Sequence, residues 1–246
     1  MSIPRIVHQI WYQGEDQVPE KYRRYRKTWQ QHHPDWQCLL WDAHSLREHV
    51  ASHWPQFLPV YDAYPQDVQR MDSARYCLLA TLGGLYADLD IECLRPVDEL
   101  LTGHELILSE TVGYNIAFIA SAAAHPLWET VLHHLTHKIS ADLSDVPSFM
   151  RENVAMQIAV VSGPRFFTLC VEESGVLALP GTLACPGEYF EGTATPGYVH
   201  DKQQGWIPYG RHDMDLNWMS PSARLLSRLA RGFSTVVSGM RALVRQ

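Results

Sequence analysis

The chain has 246 residues and a mass of 28.1 kDa, is 46% hydrophobic and 19% charged, and carries a formal net charge of −7. That length fits one globular domain with a sizeable core, and the composition excludes a disordered chain. Five scattered cysteines without a CxxC pair exclude a disulfide framework and point to a reducing compartment. The charge is uneven: residues 221–246 hold five arginines and no acid, which leaves −12 on the first 220 residues and argues against a nucleic-acid partner.

In chain order, residues 3–11 alternate enough for a first strand, and a loop follows. Residues 20–33 read as a polar, basic helix and 35–42 as a second strand. Residues 43–63 read as short helices broken at Pro55 and Pro59. Residues 65–84 are the clearest helix, with Pro65 in the first turn and Gly83 or Gly84 at a left-handed end. LYADLDIECL then reads as one strand, 105–110 and 114–121 as two more, and 126–139 and 150–161 as helices. Residues 180–220, rich in Gly, Pro and aromatics, read as long ordered loops. Strands alternating with helices predict an α/β fold with a mainly parallel central sheet, whose ligands sit at the carboxyl ends of the strands. No run approaches 18 apolar residues and the first residues lack a leader pattern, so neither a spanning helix nor a signal peptide is expected.

Asp88-Leu89-Asp90 is the sharpest feature. Two carboxylates on one side of an extended segment repel unless a cation lies between them, and hard oxygen donors select Mg²⁺ or Mn²⁺. A solvent-exposed strand end is the plain alternative, because the motif is short. On the preceding helix Asp72 and Arg75 share a face: either a surface ion pair, or a hydroxyl acceptor beside a cation matched to phosphate. The i,i+4 pair His133 and His137 has zinc spacing but no third ligand in the sequence pattern, so a solvated helix face is expected. Cys77 and Cys170 lie in apolar stretches and read as core.

IPRIVHQIW, WQQHHPDWQCLLWD and DSARYCLLATLGGLYADLDIE together resemble glycosyltransferase family 32. That family includes fungal mannosyltransferases and bacterial capsule or lipopolysaccharide transferases, and its core is similar to that of the clostridial glucosylating toxins. The spacing of Asp72, Arg75, Tyr76, Gly83, Gly84, Tyr86, Asp88 and Asp90 carries the resemblance, which covers residues 3–125 well and returns weakly at 162–164 and 212–218. It implies a GT-A type fold over residues 1–220. It further implies a nucleotide-sugar donor, UDP- or GDP-linked, and Mn²⁺ or Mg²⁺ held by Asp88, Asp90 and His212. Arg75 would act in catalysis, and Trp11, His8, Asp72, Tyr86, Asn115, Asn217 and Trp218 would contact the donor. The reaction implied is hexosyl transfer with retention to a hydroxyl of a glycan or glycolipid.

Residues 221–246 form an amphipathic helical pattern, with Leu225, Leu229, Phe233, Val236, Met240 and Leu243 on one face and the five arginines opposite or flanking. Packing on the domain is one reading; contact with an anionic membrane surface is the other, favoured by the arginine excess. A peripheral enzyme on the cytoplasmic face of a bacterial membrane fits both the tail and the absence of an N-terminal span. A haloacid-dehalogenase-like phosphatase and a non-catalytic sugar- or lipid-binding protein are the alternative functions.

Overall fold

The computed structural model describes residues 2–144, 146–191 and 208–215. Asn217, Trp218 and the predicted helix 221–246 lie outside the described residues. In chain order the strands are β1 (Ile6–Ile10), β2 (Gln37–Trp41), β3 (Gly84–Ala87), β4 (Ile91–Cys93), β5 (Leu106–Thr111), β6 (Gly113–Ser121), β7 (Thr182–Pro186) and β8 (Gly210–His212). The helices are α1 (Glu20–His32), α2 (Ala43–His53), α3 (Leu58–Ala63), α4 (Asp67–Leu82), α5 (Asp98–Leu101), α6 (Leu127–His137), α7 (Ser148–Arg151), α8 (Val154–Val161), α9 (Pro164–Ser174) and α10 (Glu188–Glu191).

Six strands form the central sheet in the order β2-β1-β3-β6-β5-β7. β1 pairs parallel with β2 and β3, and β7 pairs parallel with β5; β6 runs antiparallel between β3 and β5. Five strands therefore point one way, as the βα alternation predicted. Both faces are covered. Tyr76, Leu78, Trp128, Phe166 and Phe167 belong to the core on one side, and Trp29, Leu85, Phe118 and Phe190 to the core on the other. β3 is buried along its whole length, as a strand covered on both faces must be.

α4 is the helix that delivers the site. Gln66 caps it through a reciprocal pair with Gln69, and Gly83 ends it at φ +64. A Cβ on Gly83 would lie 2.6 Å from the Ala123 backbone nitrogen, and one on Gly84 2.7 Å from the Ile6 carbonyl oxygen. Two glycines are thus what lets α4 turn directly into the strand that carries the acidic motif.

Several sequence expectations change. The single strand across LYADLDIECL is two strands with a turn between: Asp88 N–H makes the last bond to β6, at the Ala117 carbonyl (2.9 Å), and Ile91 N–H closes onto the Asp88 carbonyl (3.0 Å). The break at Pro59 is instead a start, because Pro59 sits in the first turn of α3. α9 was not foreseen, nor were β7, α10 and β8 within the stretch read as loops. Residues Val154–Ser174 have the length and apolar content of a membrane span. They form two helices broken at Ser162–Gly163, and α9 buries Phe166, Phe167, Cys170 and Val171 in the core.

Candidate active site

A cleft of about 670 Å³ opens at the carboxyl ends of β1 and β3. Its walls include Trp11 and Tyr22 on one side, Asp72 and Arg75 from α4, Tyr86, Asp88 and Asp90 from the β3 end, Asn115 from β6, and His212 from β8. Apolar residues of α8, Ala155, Ile158 and Ala159, close another side.

The two aspartates meet through the turn and not through strand alternation. β4 pairs antiparallel with β8 in the register Ile91 to His212, which sets the imidazole beside the turn. His212 Nε2 is 3.1 Å from Asp90 Oδ1, and Asp215 N–H donates to Asp90 Oδ2 at 2.8 Å. One donor atom from each of Asp88, Asp90 and His212 lies within 4.8 Å of the others, the sole such group among the described residues. Two carboxylates and one imidazole suit a hard divalent cation with positions left for phosphate oxygens. Burial pushes the Asp88 carboxyl above its usual range, with Asp90 adding to the shift against the pull of Arg75. For Asp90 burial acts the same way, but His212 and the Asp215 N–H outweigh it and hold the carboxyl low. The residues present fit such an ion.

Behind this pair stands a buried ion-pair chain. Arg75 Nη2 donates to Asp72 Oδ1 at 2.7 Å, and Nη1 donates to the Ile116 carbonyl at 2.8 Å and to Asp88 Oδ1 at 3.3 Å. The guanidinium carbon lies 4.5 Å from the Tyr86 ring centre. Tyr86 O–H donates to Asp88 Oδ1 at 2.6 Å, and burial keeps that phenol protonated. The Asp72 and Arg75 side chains are only 5% and 6% exposed, so the surface-pair alternative fails. Burial raises the Asp72 carboxyl to about 7 against the opposing pull of Arg75. The β5–β6 register shifts at Leu108/Ser109, so residues 116–118 have no ladder partner in β5; the Ile116 carbonyl accepts from Arg75, while the Ala117 carbonyl faces β3 and accepts from Asp88 N–H. No local sequence pattern marks that bulge. Asn115 lines the cleft, and its Oδ1 accepts from Ala117 N–H at 2.7 Å.

Trp11 also lines the cleft, tilted against Tyr22 with ring centres 5.6 Å apart, and its Nε1 is buried without a hydrogen-bond partner in the described structure. His8 is elsewhere. It is fully buried, its Nε2–H donates to the Gly83 carbonyl (2.9 Å), and its Nδ1 accepts from Trp41 Nε1 (3.2 Å). The structure therefore does not bring His8 to the cleft; it braces the α4–β3 turn as a neutral imidazole. Burial lowers its pKa to about 4. An imidazole depressed in the fold stabilises above the unfolded value of 6.5 and loses that contribution as pH falls toward 4. We expect His8→Gln to flatten unfolding free energy against pH in that window, by about 3 kcal/mol for a shift of this size. Parallel wild-type and variant denaturant curves at pH 7 and pH 4 check it; identical slopes would contradict the assignment.

His133 and His137 lie tilted with ring centres 4.2 Å apart, while His134 Nε2 pairs with Glu173 Oε2 at 2.7 Å. Cys77 and Cys170 are buried in the core, and all five cysteines are free.

Residues 19–107 match the family model described as the glycosyltransferase sugar-binding region containing the DXD motif. The chain is 34% identical to inositol phosphoceramide mannosyltransferase 1 of Schizosaccharomyces pombe over 140 residues, covering 55% of this chain and 43% of the relative. It is 32% identical to a mannosyl phosphorylinositol ceramide synthase of Saccharomyces cerevisiae over 136 residues, covering 55% and 35%. The chain thus spans less than half the length of these relatives. Among solved structures, the ligand-free glycosyltransferase domain of the YGT toxin superposes with a TM-score of 0.58 at 10% identity, over 75% of this chain and 80% of that one. That likeness establishes the GT-A type glycosyltransferase fold. The two named relatives are fungal, so the bacterial source expected from the sequence has no support from them. Nor has the phosphatase alternative, since the acidic pair falls inside the DXD region.

Proposed function

We propose that this glycosyltransferase moves a hexose from a nucleoside diphosphate sugar to a hydroxyl of a glycolipid, with a divalent cation at Asp88, Asp90 and His212. The convergence of these three side chains at the end of β3, inside the cleft, is the observation that carries the reading. Mn²⁺ or Mg²⁺ there would neutralise charge developing on the departing diphosphate.

The chain's own groups supply the rest. Trp11 offers an indole face to the nucleoside, and stacking of that kind contributes about 1–3 kcal/mol. Arg75 acts as a fixed buried cation: both of its terminal nitrogens are committed to Asp72, Asp88 and the Ile116 carbonyl. It holds Asp88 in place and leaves phosphate to the open side of the cleft. Tyr86 fixes the same carboxylate from the other direction. Asn115 stands beside the transferred sugar. Asp72 keeps Arg75 in position from the cleft wall. The preorganised charges need no rearrangement as the glycosidic bond breaks.

The relatives' names make mannose and an inositol phosphoceramide acceptor the first pair to test. Transfer of radiolabelled mannose from GDP-mannose to inositol phosphoceramide in mixed micelles is expected to require Mn²⁺ or Mg²⁺. Labelling of another lipid alone would redirect the acceptor, and failure with every hexose donor would overturn the reading. Residues 221–246 are assigned to an anionic membrane surface through their five arginines. Deleting them is expected to abolish co-sedimentation with phosphatidylserine vesicles at low salt; unchanged sedimentation would place the contact elsewhere.

A further inference from the structure

Asp213-Met214-Asp215 is a second Asp-x-Asp, directly after His212. Its carboxylates converge on one ammonium of α1. Lys21 Nζ lies 2.8 Å from Asp213 Oδ2 and 2.5 Å from Asp215 Oδ2. Tyr25 O–H donates to Asp213 Oδ2 at 2.7 Å, and Tyr22 O–H donates to Asp215 Oδ2 at 3.0 Å. Met214 between them has φ +52, a left-handed conformation unfavourable for a residue with a side chain. The same turn brings both backbone N–H groups onto Asp90: Asp213 N–H donates to its carbonyl at 3.1 Å and Asp215 N–H to its Oδ2 at 2.8 Å.

We propose that Lys21 is a positioning residue for the cation site: a latch that seats segment 208–215 on Asp90 and so fixes His212 and the Asp90 carboxylate for metal binding. The inference rests on the reading of Asp88, Asp90 and His212 as cation ligands. An ordinary ion pair at this exposure contributes little. Three features set this one apart. One ammonium bridges two carboxylates, two tyrosine hydroxyls share the same oxygens, and the bridged turn ends on a ligand. The chemistry is that of outer groups that orient metal ligands, whose loss weakens metal binding by about 10–100-fold.

The test is Mn²⁺ titration of the full 246-residue chain, followed by the electron paramagnetic resonance signal of free Mn²⁺. Wild type, Lys21→Met, Lys21→Arg and Asp90→Asn are compared, with melting temperatures alongside. Lys21→Met is expected to weaken Mn²⁺ binding by about 10–100-fold with little change in melting temperature. Lys21→Arg is expected to recover most of the affinity, because it keeps the cation between the two carboxylates. Met214→Gly, which relieves the left-handed backbone and keeps every polar group, is expected to bind Mn²⁺ as wild type does. Wild-type affinity in Lys21→Met, with loss in Asp90→Asn, would overturn the latch and leave the cation site standing. Equal binding by wild type and Asp90→Asn would overturn the cation site and the latch with it. Equal loss in Lys21→Met and Lys21→Arg, with matching falls in melting temperature, would make Lys21 a general structural contact and overturn the proposal.

Discussion

Asp88→Asn and Asp90→Asn are each expected to reduce donor turnover by roughly a hundredfold to a thousandfold, yet to move stability in opposite directions. The asymmetry follows from their surroundings. Burial and the neighbouring Asp90 charge make ionised Asp88 unfavourable in the fold, so removing its charge relieves repulsion. An amide there still accepts from Tyr86 O–H, and the melting temperature is expected to hold or rise. Asp90 is favoured as an anion by His212 and by the Asp215 N–H, so its amide loses charge-assisted hydrogen bonds. The expected cost is about 1–3 kcal/mol. Thermal melts and donor turnover on both variants check the pair. Full turnover in both would remove the aspartates from the chemistry, and equal destabilisation would contradict the electrostatics.

Arg75→Met is expected to be the most destabilising single change at the site. It leaves Asp72, whose side chain is 5% exposed, without its cation, and above pH 7, where the carboxyl beside Arg75 is ionised, such a loss costs about 3–5 kcal/mol. Arg75→Lys recovers only part, because one ammonium cannot serve Asp72, Asp88 and the Ile116 carbonyl from a planar fork. Arg75→Met combined with Asp72→Leu removes both charges and is expected to restore most of the stability and none of the turnover. Urea midpoints at unchanged slope read the stability term. A single-variant cost below about 1 kcal/mol would mean that the pair is not a buried charge pair at all. Restored turnover in the double variant would remove Arg75 from the positioning of Asp88.

The elements that could be read from the sequence are those whose signals are local. α1, α4 and α6 carry helical periodicity with recognisable ends, and β1 and β2 alternate. α9 escaped because Ser162-Gly163-Pro164 reads as a loop, although Pro164 occupies the helix's first position, where its missing N–H costs nothing. β7 and β8 escaped because their partners, β5 and β4, are far away in sequence and their own composition is that of turns. The same division runs through the site. Asp72, Arg75, Tyr86, Asp88 and Asp90 lie within one short stretch whose spacing is itself a signal. The bulge beside the Ile116 carbonyl, and the Lys21 bridge to residues more than 190 positions away, are long-range events. The one legible hint of the bridge was a second pair of acids flanking Met214, with Tyr22 and Tyr25 three apart beside Lys21.

Donor turnover by the purified 246-residue chain, with GDP-mannose, UDP-glucose and UDP-galactose in parallel, is the decisive measurement. Each donor is assayed in MnCl₂ and in excess EDTA, with Asp88→Asn as control. The expected result is that one nucleotide class is consumed, that EDTA stops it, and that Asp88→Asn removes it. Turnover that persists in EDTA and in Asp88→Asn, or none with any donor while Mn²⁺ binds, would contradict a metal-dependent glycosyltransferase at this cleft.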